Sequence, residues 1–73
     1  MNSEENTLLT AGNSTIGYCY AIVVGGKLLD YTRNACVSEA GWRMAIRNSA
    51  EEVQTRSGDI LPIRRTSTAS KSL

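Results

Sequence analysis

A pair of adjacent glycines, Gly25 and Gly26, separates two runs of strand-forming residues and constrains the fold more than any other feature of the chain. The run before the pair, 16–24, is rich in aromatic and β-branched side chains, and a second apolar run, 27–32, follows it. Both glycines can adopt the positive φ that a two-residue primed turn requires. The sequence therefore predicts a β-hairpin that turns at this pair.

The position of this turn also predicts the register of the hairpin and the face that is buried. The expected cross-strand pairs are Val24 with Lys27, Ile22 with Leu29, and Tyr20 with Tyr31. Because side chains alternate between the two faces of a strand, the larger apolar ones share a face that we predict to form the core: Tyr18, Tyr20, Ile22, Leu29 and Tyr31. The opposite face carries a smaller and more mixed set: Cys19, Ala21, Val23, Leu28, Asp30 and Thr32.

Residues 38–54 have the pattern of an amphipathic helix. Ser38 is a favourable N-cap, and Glu39 beside it complements the positive end of the helix dipole. Arg47 and Glu51 are four residues apart and are expected to form an ion pair on the exposed face. We expect the chain to leave the helix by Ser57-Gly58. The predicted buried stripe consists of Trp42, Ala45, Ile46, Ser49, Ala50 and Val53.

A short third strand is predicted over residues 59–65, at an edge or a bulge because Pro62 has no N–H to donate. The order strand, strand, helix, strand predicts a small two-layer α+β domain of the β-β-α-β type over residues 15–65. The flanking segments 1–14 and 66–73 are polar and lack an apolar period. We expect both to be flexible tails, because they bury too little apolar surface to offset the entropy of ordering them.

The chain lacks the residues on which most catalytic and metal sites depend. It contains no histidine, the commonest general base and metal ligand. Cys19, in a predicted strand, is interpreted as a small core side chain, whereas Cys36, in the loop before the helix, is the better candidate for a reactive thiol but has no identifiable base. Two cysteines are too few for a disulfide scaffold or a zinc site. We therefore expect no enzymatic activity, no cofactor and no metal.

Neither a signal peptide nor a membrane span is predicted, since no apolar run approaches the ~18 residues that a span needs. The two cysteines lack CxxC spacing, and a reducing cytoplasm is the simplest setting for them.

The candidate binding residues are basic or lie in the tails. Although the net charge is only +1, residues 43–73 carry six basic and three acidic side chains. Such asymmetry suits an acidic or nucleic-acid surface on a partner, although an ordinary solvated surface has the same composition. The apolar pair Leu8-Leu9 in a polar tail is typical of a segment that folds as it docks, and an inert tail is the alternative. The predicted partner-binding residues are Leu8, Leu9, Arg33, Arg43 and Arg47, with a secondary basic patch at Arg64, Arg65 and Lys71.

The predicted hairpin over 18–32, the capped helix over 38–54 and the short last strand over 59–64 resemble the small phage-encoded regulators of host RNA polymerase, of the kind found in a lytic phage of Xanthomonas. The resemblance lies in size and layout, and no signature motif accompanies it. It implies a monomer that acts in the host bacterial cytoplasm and binds polymerase near the flap of the β subunit and the N-terminal region of β′. It further implies inhibition of initiation by displacement of σ, and antitermination together with NusA.

Two other functions fit the same residues. A nucleic-acid-binding module would use the helical arginines and the basic patch at Arg64, Arg65 and Lys71, and the near-neutral total charge counts against it. The three tyrosines would stack on bases in such a module, although the predicted register places them in the core. An inhibitor of another host complex, such as a defence system, is the third alternative.

Overall fold

The computed structural model describes residues 6–13, 17–34 and 36–68. They form an α+β fold with five strands and one helix. The elements in chain order are β1 (Asn6–Asn13), β2 (Gly17–Val24), β3 (Lys27–Tyr31), α1 (Glu39–Asn48), β4 (Glu52–Gln54) and β5 (Ile60–Thr68). The predicted α+β class is confirmed, but two strands are present that the β-β-α-β prediction lacked.

The five strands form one antiparallel sheet that curls around the helix. Their order across the sheet is β3-β2-β1-β5-β4, and α1 packs against both edge strands, β3 and β4. Neighbouring strands lie about 4.8 Å apart, so the edges of a flat sheet of this width would be about 19 Å apart. A helix is only about 10 Å wide. The sheet must therefore bend towards α1 at both sides, which leaves its opposite face uncovered by any described element.

The first described strand, β1, occupies the centre of the sheet. It pairs with β2 on one side and β5 on the other, and its Leu9 and Ala11 are buried. The prediction of a flexible tail over 1–14 is therefore wrong for residues 6–13, while 1–5 and 14–16 lie outside the described residues. Backbone hydrogen bonds to β2 on one side and β5 on the other hold this strand in place. It is ordered although only one of its faces is apolar, because the neighbouring strands supply most of the buried surface.

The hairpin turns where predicted, but its buried face is the opposite one. Gly25 and Gly26 have φ of 60° and 80°, and Val24 pairs with Lys27. Val23 pairs with Leu28 in the same register. A bulge then shifts the register, so that the next pairs are Ile22–Asp30 and Ala21–Tyr31 in place of Ile22–Leu29 and Tyr20–Tyr31. The buried residues of β2 are the small ones: Cys19, Ala21 and Val23.

The bulge residue is Leu29, which has no partner on β2 and is 66 % exposed. By adding one residue to β3, it turns Tyr31 towards the helix side, where Tyr31 packs on the core. Tyr18 and Tyr20, predicted to be core residues, are instead 71 % and 39 % exposed. Small side chains on the inner face let α1 approach the sheet closely, and Trp42 fills the space between them with no exposed surface.

The helix begins as predicted and ends earlier. The Oγ of Ser38 accepts a hydrogen bond from the N–H of Gly41 at 3.0 Å, as an N-cap does. Ser49 takes the left-handed conformation with φ of 49°, and the N–H of Ala50 donates to the carbonyl of Ala45 at 2.9 Å. This cap ends the helix at Asn48 and frees Val53 to enter β4.

The early end of the helix removes a predicted ion pair. Glu51 lies beyond the cap, so it is not one helical turn from Arg47, and no Arg47–Glu51 pair forms among the described residues. No helix in the described part of the chain is long and apolar enough to cross a membrane.

The predicted third strand is present as β5, but it lies between β1 and β4 and extends to Thr68. Residues 60–62 pair with β4 and not with β1, so the predicted edge position holds at Pro62 but not for the rest of β5. The prediction of a tail is wrong for residues 66–68. The direction of the neighbouring N–H explains why Pro62 is tolerated here. The N–H of Ile63 points to the β4 side, where it donates to the backbone carbonyl of Glu51 at 2.9 Å. Alternation then points the proline nitrogen towards β1, whose pairing with β5 stops at Ala11–Ile63.

The two cysteines, predicted to be free thiols, form a disulfide that joins β2 to the loop before α1. The Cα atoms of Cys19 and Cys36 are 6.4 Å apart. The hairpin prediction puts Cys19 on the side of the sheet that faces away from the helix, where this bond would be out of reach. The reversed face brings it under the same loop that leads into Ser38 and the helix.

Candidate binding surfaces

The described residues form concave surfaces that suit the binding of a partner. Within residues 6–13, 17–34 and 36–68, no three side chains of the metal-binding types cluster closely enough to hold an ion. Two concave surfaces stand out by their side chains. One lies between the hairpin and the helix, and the other lies on the uncovered face of the sheet.

The first surface, here called the hairpin–helix groove, combines basic walls with an apolar floor. Its walls carry Lys27 from the start of β3 together with Arg43 and Arg47 from successive turns of α1. Leu28 and Ile46 are partly buried between them and form the floor. The structure thus brings together two of the three arginines predicted to bind a partner, and adds a lysine that the sequence prediction missed.

The charges in this groove are not equivalent. The guanidinium of Arg43 donates two hydrogen bonds to one carboxylate oxygen of Glu39, at 2.9 and 2.8 Å. These bonds and the charge of Arg43 lower the pKa of Glu39 below its ordinary value of 4.5. Desolvation opposes this effect on the pKa, and the Tyr31 hydroxyl and Arg33 make smaller contributions that lower it. Lys27 and Arg47 form no ion pair within the described part of the chain, so they carry the uncompensated charge of the groove.

The third predicted arginine, Arg33, lies outside the groove. It forms an ion pair with Asp30, in which the nitrogen and oxygen atoms are 3.7 Å apart, and its guanidinium lies over the Tyr31 ring, 4.8 Å from the centroid. Exposed pairs of this kind contribute about 0–1 kcal/mol to stability. Arg33 is therefore partly engaged by its own chain, although less closely than Arg43.

The second surface, here called the outer face, is the side of the sheet that α1 does not cover. The strand alternation and the register place the following side chains on it: Leu8, Thr10, Tyr18, Tyr20, Ile22, Arg64 and Thr66. A cleft crosses this face between Tyr18 on β2 and Arg64 on β5. Thr10 and Gly12 of β1 lie between its walls, so that the floor beside the tyrosine ring carries no side chain at Gly12.

A glycine is required at position 12 for two reasons. Its φ is +140°, and a Cβ placed there would lie 2.0 Å from the carbonyl oxygen of Gly17. The backbones of β1 and β2 therefore approach too closely at this point for any side chain. The cleft owes its open floor to this close approach.

The remaining predicted site residues do not act together. Leu8 is on the outer face and 37 % exposed, whereas Leu9 is a core residue, so the pair is not a docking motif in a free tail. Arg64 and Arg65 point to opposite faces, since Arg64 pairs with Thr10 and Arg65 with the buried Leu9. The Arg65 guanidinium donates to the carbonyl of Ala50 at 2.8 Å, just past the helix. Lys71 lies outside the described residues.

A register predicted from the two hairpin strands alone places the tyrosines of the outer face in the core, because it does not include β1 or the bulge at Leu29. The small residues at alternate positions, Cys19 and Ala21, are the sign in the sequence that this side of β2 faces a closely packed helix.

Comparison of the chain with protein-family models, with curated proteins and with solved structures finds no significant match.

Proposed function

We propose that this chain is a non-catalytic regulator that binds host RNA polymerase in the bacterial cytoplasm, with the hairpin–helix groove as part of its contact surface. The observation that carries the proposal is the convergence of Lys27 and Arg47 on the apolar floor of Leu28 and Ile46. The resemblance in size and layout to phage regulators of polymerase supplies the identity of the partner.

The groove suits an acidic segment that also carries an apolar side chain. Apolar contacts buried at the centre of an interface provide most of the affinity. Charges at the rim contribute more to the rate of association and to the choice of partner. Arg43 is already paired with Glu39, so Lys27 and Arg47 are the residues that select an acidic partner here.

Regulation of this kind requires no active site. A rigid domain that holds two polymerase elements, such as the β flap and the β′ N-terminal region, fixes their spacing and thereby affects both the retention of σ and the passage of RNA. Cooperation with NusA follows from a position beside the RNA exit channel. The absence of histidine from the sequence is consistent with a role in binding alone.

Affinity capture from a bacterial lysate tests the proposal. The tagged wild-type chain should retain the β and β′ subunits, and Arg47→Glu should reduce this retention severalfold and make the remainder more sensitive to salt. The matched control is Arg56→Glu, the same change at an exposed arginine that does not line the groove.

Failure of the wild-type chain to retain any polymerase subunit would rule out the partner. Equal loss with Arg47→Glu and Arg56→Glu would rule out the groove as the contact surface. Capture of a different host complex through Arg47 would instead favour the alternative of an inhibitor of another host system.

A further inference from the structure

The outer face carries exposed aromatic rings that the fold itself does not use. Tyr18 is 71 % exposed and Tyr20 is 39 % exposed. Both lie on β2, which pairs with β1 beside both residues and with β3 only from Ala21 to Val24. Neither hydroxyl is hydrogen-bonded to another described residue. Side chains two residues apart in a strand are about 7 Å apart, so the two rings stand side by side on a rigid support.

A free guanidinium lies on the same face. Thr10 pairs with Tyr20 on one side and with Arg64 on the other, so the Cα atoms of Tyr20 and Arg64 are about 10 Å apart across β1. Among the residues that the structure describes, the guanidinium of Arg64 forms no ion pair and no hydrogen bond. Its charge is thus available to a ligand that lies across the sheet from the tyrosines.

The space between these groups is open, and its lining is partly polar and partly apolar. Thr10 and the side-chain-free Gly12 separate Tyr18 from Arg64 and line the cleft with Pro62. A surface for a second protein usually gathers large apolar side chains at its centre. Here a threonine and a glycine occupy the centre of the cleft, and the exposed Tyr18 stands at one side. The aliphatic side chains of this face, Leu8 and Ile22, lie further along the strands and do not line the cleft.

Rings on a sheet with a cation beside them match the chemistry of a single nucleic acid strand. Bases stack on aromatic side chains without regard to sequence, and a guanidinium neutralises the adjacent phosphate. Within the described strands, the register places two acids on this side of the sheet: Asp30, which is already paired with Arg33, and Glu52, which lies opposite Pro62 at the far side of β5. A phosphate is therefore best placed at Arg64, on the β1 side of Glu52.

We infer that the outer face binds single-stranded nucleic acid, with bases stacked on Tyr18 and Tyr20 and a phosphate held by Arg64. The site uses none of the residues that line the hairpin–helix groove, so it is independent of the proposed polymerase contact. With one described cation at the site, binding is of modest affinity, and its dependence on salt is shallow.

Fluorescence anisotropy with labelled oligothymidylate and oligouridylate at low salt tests this inference. Saturable binding of either strand is expected, with a labelled duplex of equal length bound more weakly. Tyr18→Ala should weaken binding of the single strand about tenfold or more. Its matched control is Leu29→Ala, the loss of a similarly exposed apolar side chain on the neighbouring strand, which should leave the affinity unchanged.

The charge is tested in the same way. Arg64→Gln should weaken binding and reduce the slope of log K against log salt by about 0.7, the value for one neutralised phosphate of a single strand. Arg47→Gln, the same change in the groove, should alter neither quantity. The inference is overturned if the wild-type chain shows no saturable binding, if Tyr18→Ala binds as well as the wild type, or if Arg47→Gln and Arg64→Gln weaken binding equally.

Failure here is distinguishable from failure of the polymerase proposal. The lysate capture depends on Arg47 and should be retained by Tyr18→Ala and Arg64→Gln. Both variants alter side chains exposed in the folded chain, and the near-ultraviolet circular dichroism of Trp42 verifies that they remain folded.

Discussion

Cys19 in the second strand is bonded to Cys36, so one covalent link ties the middle of the sheet to the loop from which the helix starts. The two residues are 17 positions apart. Closing a loop of this length removes conformational entropy from the unfolded chain and stabilises a fold by about 3 kcal/mol. We therefore expect the oxidised protein to be more stable than the reduced one by this amount.

The measurement is urea denaturation with and without a reducing agent, followed by Trp42 fluorescence. A variant with Cys19→Ala and Cys36→Ala is the control, because its stability should not respond to the reductant. Equal stability of the oxidised and reduced wild-type protein would contradict the expectation. If the expectation holds, the fold would lack this contribution of about 3 kcal/mol in a reducing cytoplasm, which is the proposed setting.

Trp42 is fully buried between the helix and the small residues of the sheet. Removing the indole in Trp42→Ala should lower the free energy of unfolding by about 3–5 kcal/mol. This loss is as large as the whole free energy of unfolding of many domains of this size. Met44→Ala, on the same helix but 57 % exposed, should change stability by less than about 0.5 kcal/mol. Circular dichroism melting of both variants provides the comparison, and a folded Trp42→Ala variant of near wild-type stability would show that the cavity collapses.

Gly12 and Gly26 both have positive φ, but only Gly12 lacks room for a Cβ. An alanine at position 26 meets nothing within 4 Å and carries only the conformational penalty, about 1–2 kcal/mol. An alanine at position 12 must in addition push the Gly17 carbonyl away. Gly12→Ala should thus lower the free energy of unfolding more than Gly26→Ala does, as measured by chemical denaturation. A larger loss for Gly26→Ala would contradict the close approach of β1 and β2 at Gly12.

The ion pair of Glu39 with Arg43 predicts a specific dependence on pH. The pKa of Glu39 is lower in the folded chain than its ordinary value of 4.5, so the pair stabilises the fold above that value. The contribution is lost as the pH falls through the lowered pKa. The effect is small because both side chains are about half exposed and screened by solvent.

Glu39→Gln isolates this contribution. The variant should be slightly less stable than the wild type at neutral pH and equally stable once Glu39 is protonated in both states. Carboxyl chemical shifts in an NMR titration measure the pKa directly, and a value at or above 4.5 would contradict the contacts described. Arg43→Gln should return the pKa of Glu39 towards its ordinary value.

Local signals in the sequence predict the elements that depend on a few neighbouring residues. The turn at Gly25-Gly26 follows from the freedom of glycine, and the helix start at Ser38 follows from its capping hydroxyl. Burial of Trp42 follows from its place on the apolar stripe. Each of these features is decided within one turn of helix or one hairpin.

Features that depend on distant strands could not be predicted in the same way. Residues 6–13 look polar because only one face of β1 is apolar, and the strand is ordered by ladders to β2 and β5. The bulge at Leu29 has no turn residue to mark it, yet it reverses the direction of Tyr31. Ser49 ends the helix in a conformation that favours glycine, so the apolar period continuing to Val53 concealed the boundary.

The same distinction between local and long-range contacts applies to the candidate sites. Arg43 and Arg47 were identified because helical spacing alone brings them together. Tyr18, Tyr20 and Arg64 meet only through the register of three strands, and that register is set by contacts between residues far apart in the chain.

The pairing of β1 with β5 has a consequence for how the protein is made. Leu9 lies opposite Arg65, so the middle of the sheet joins residues separated by most of the described chain, and contacts of this range form slowly. During synthesis, β1 and β2 leave the ribosome well before the strand that completes their sheet. Until β5 emerges, β1 presents an unpaired edge to other nascent chains. The cleft between Tyr18 and Arg64 comes into existence only when that edge is closed, so a chain truncated before β5 lacks the outer-face site even if its hairpin and helix form.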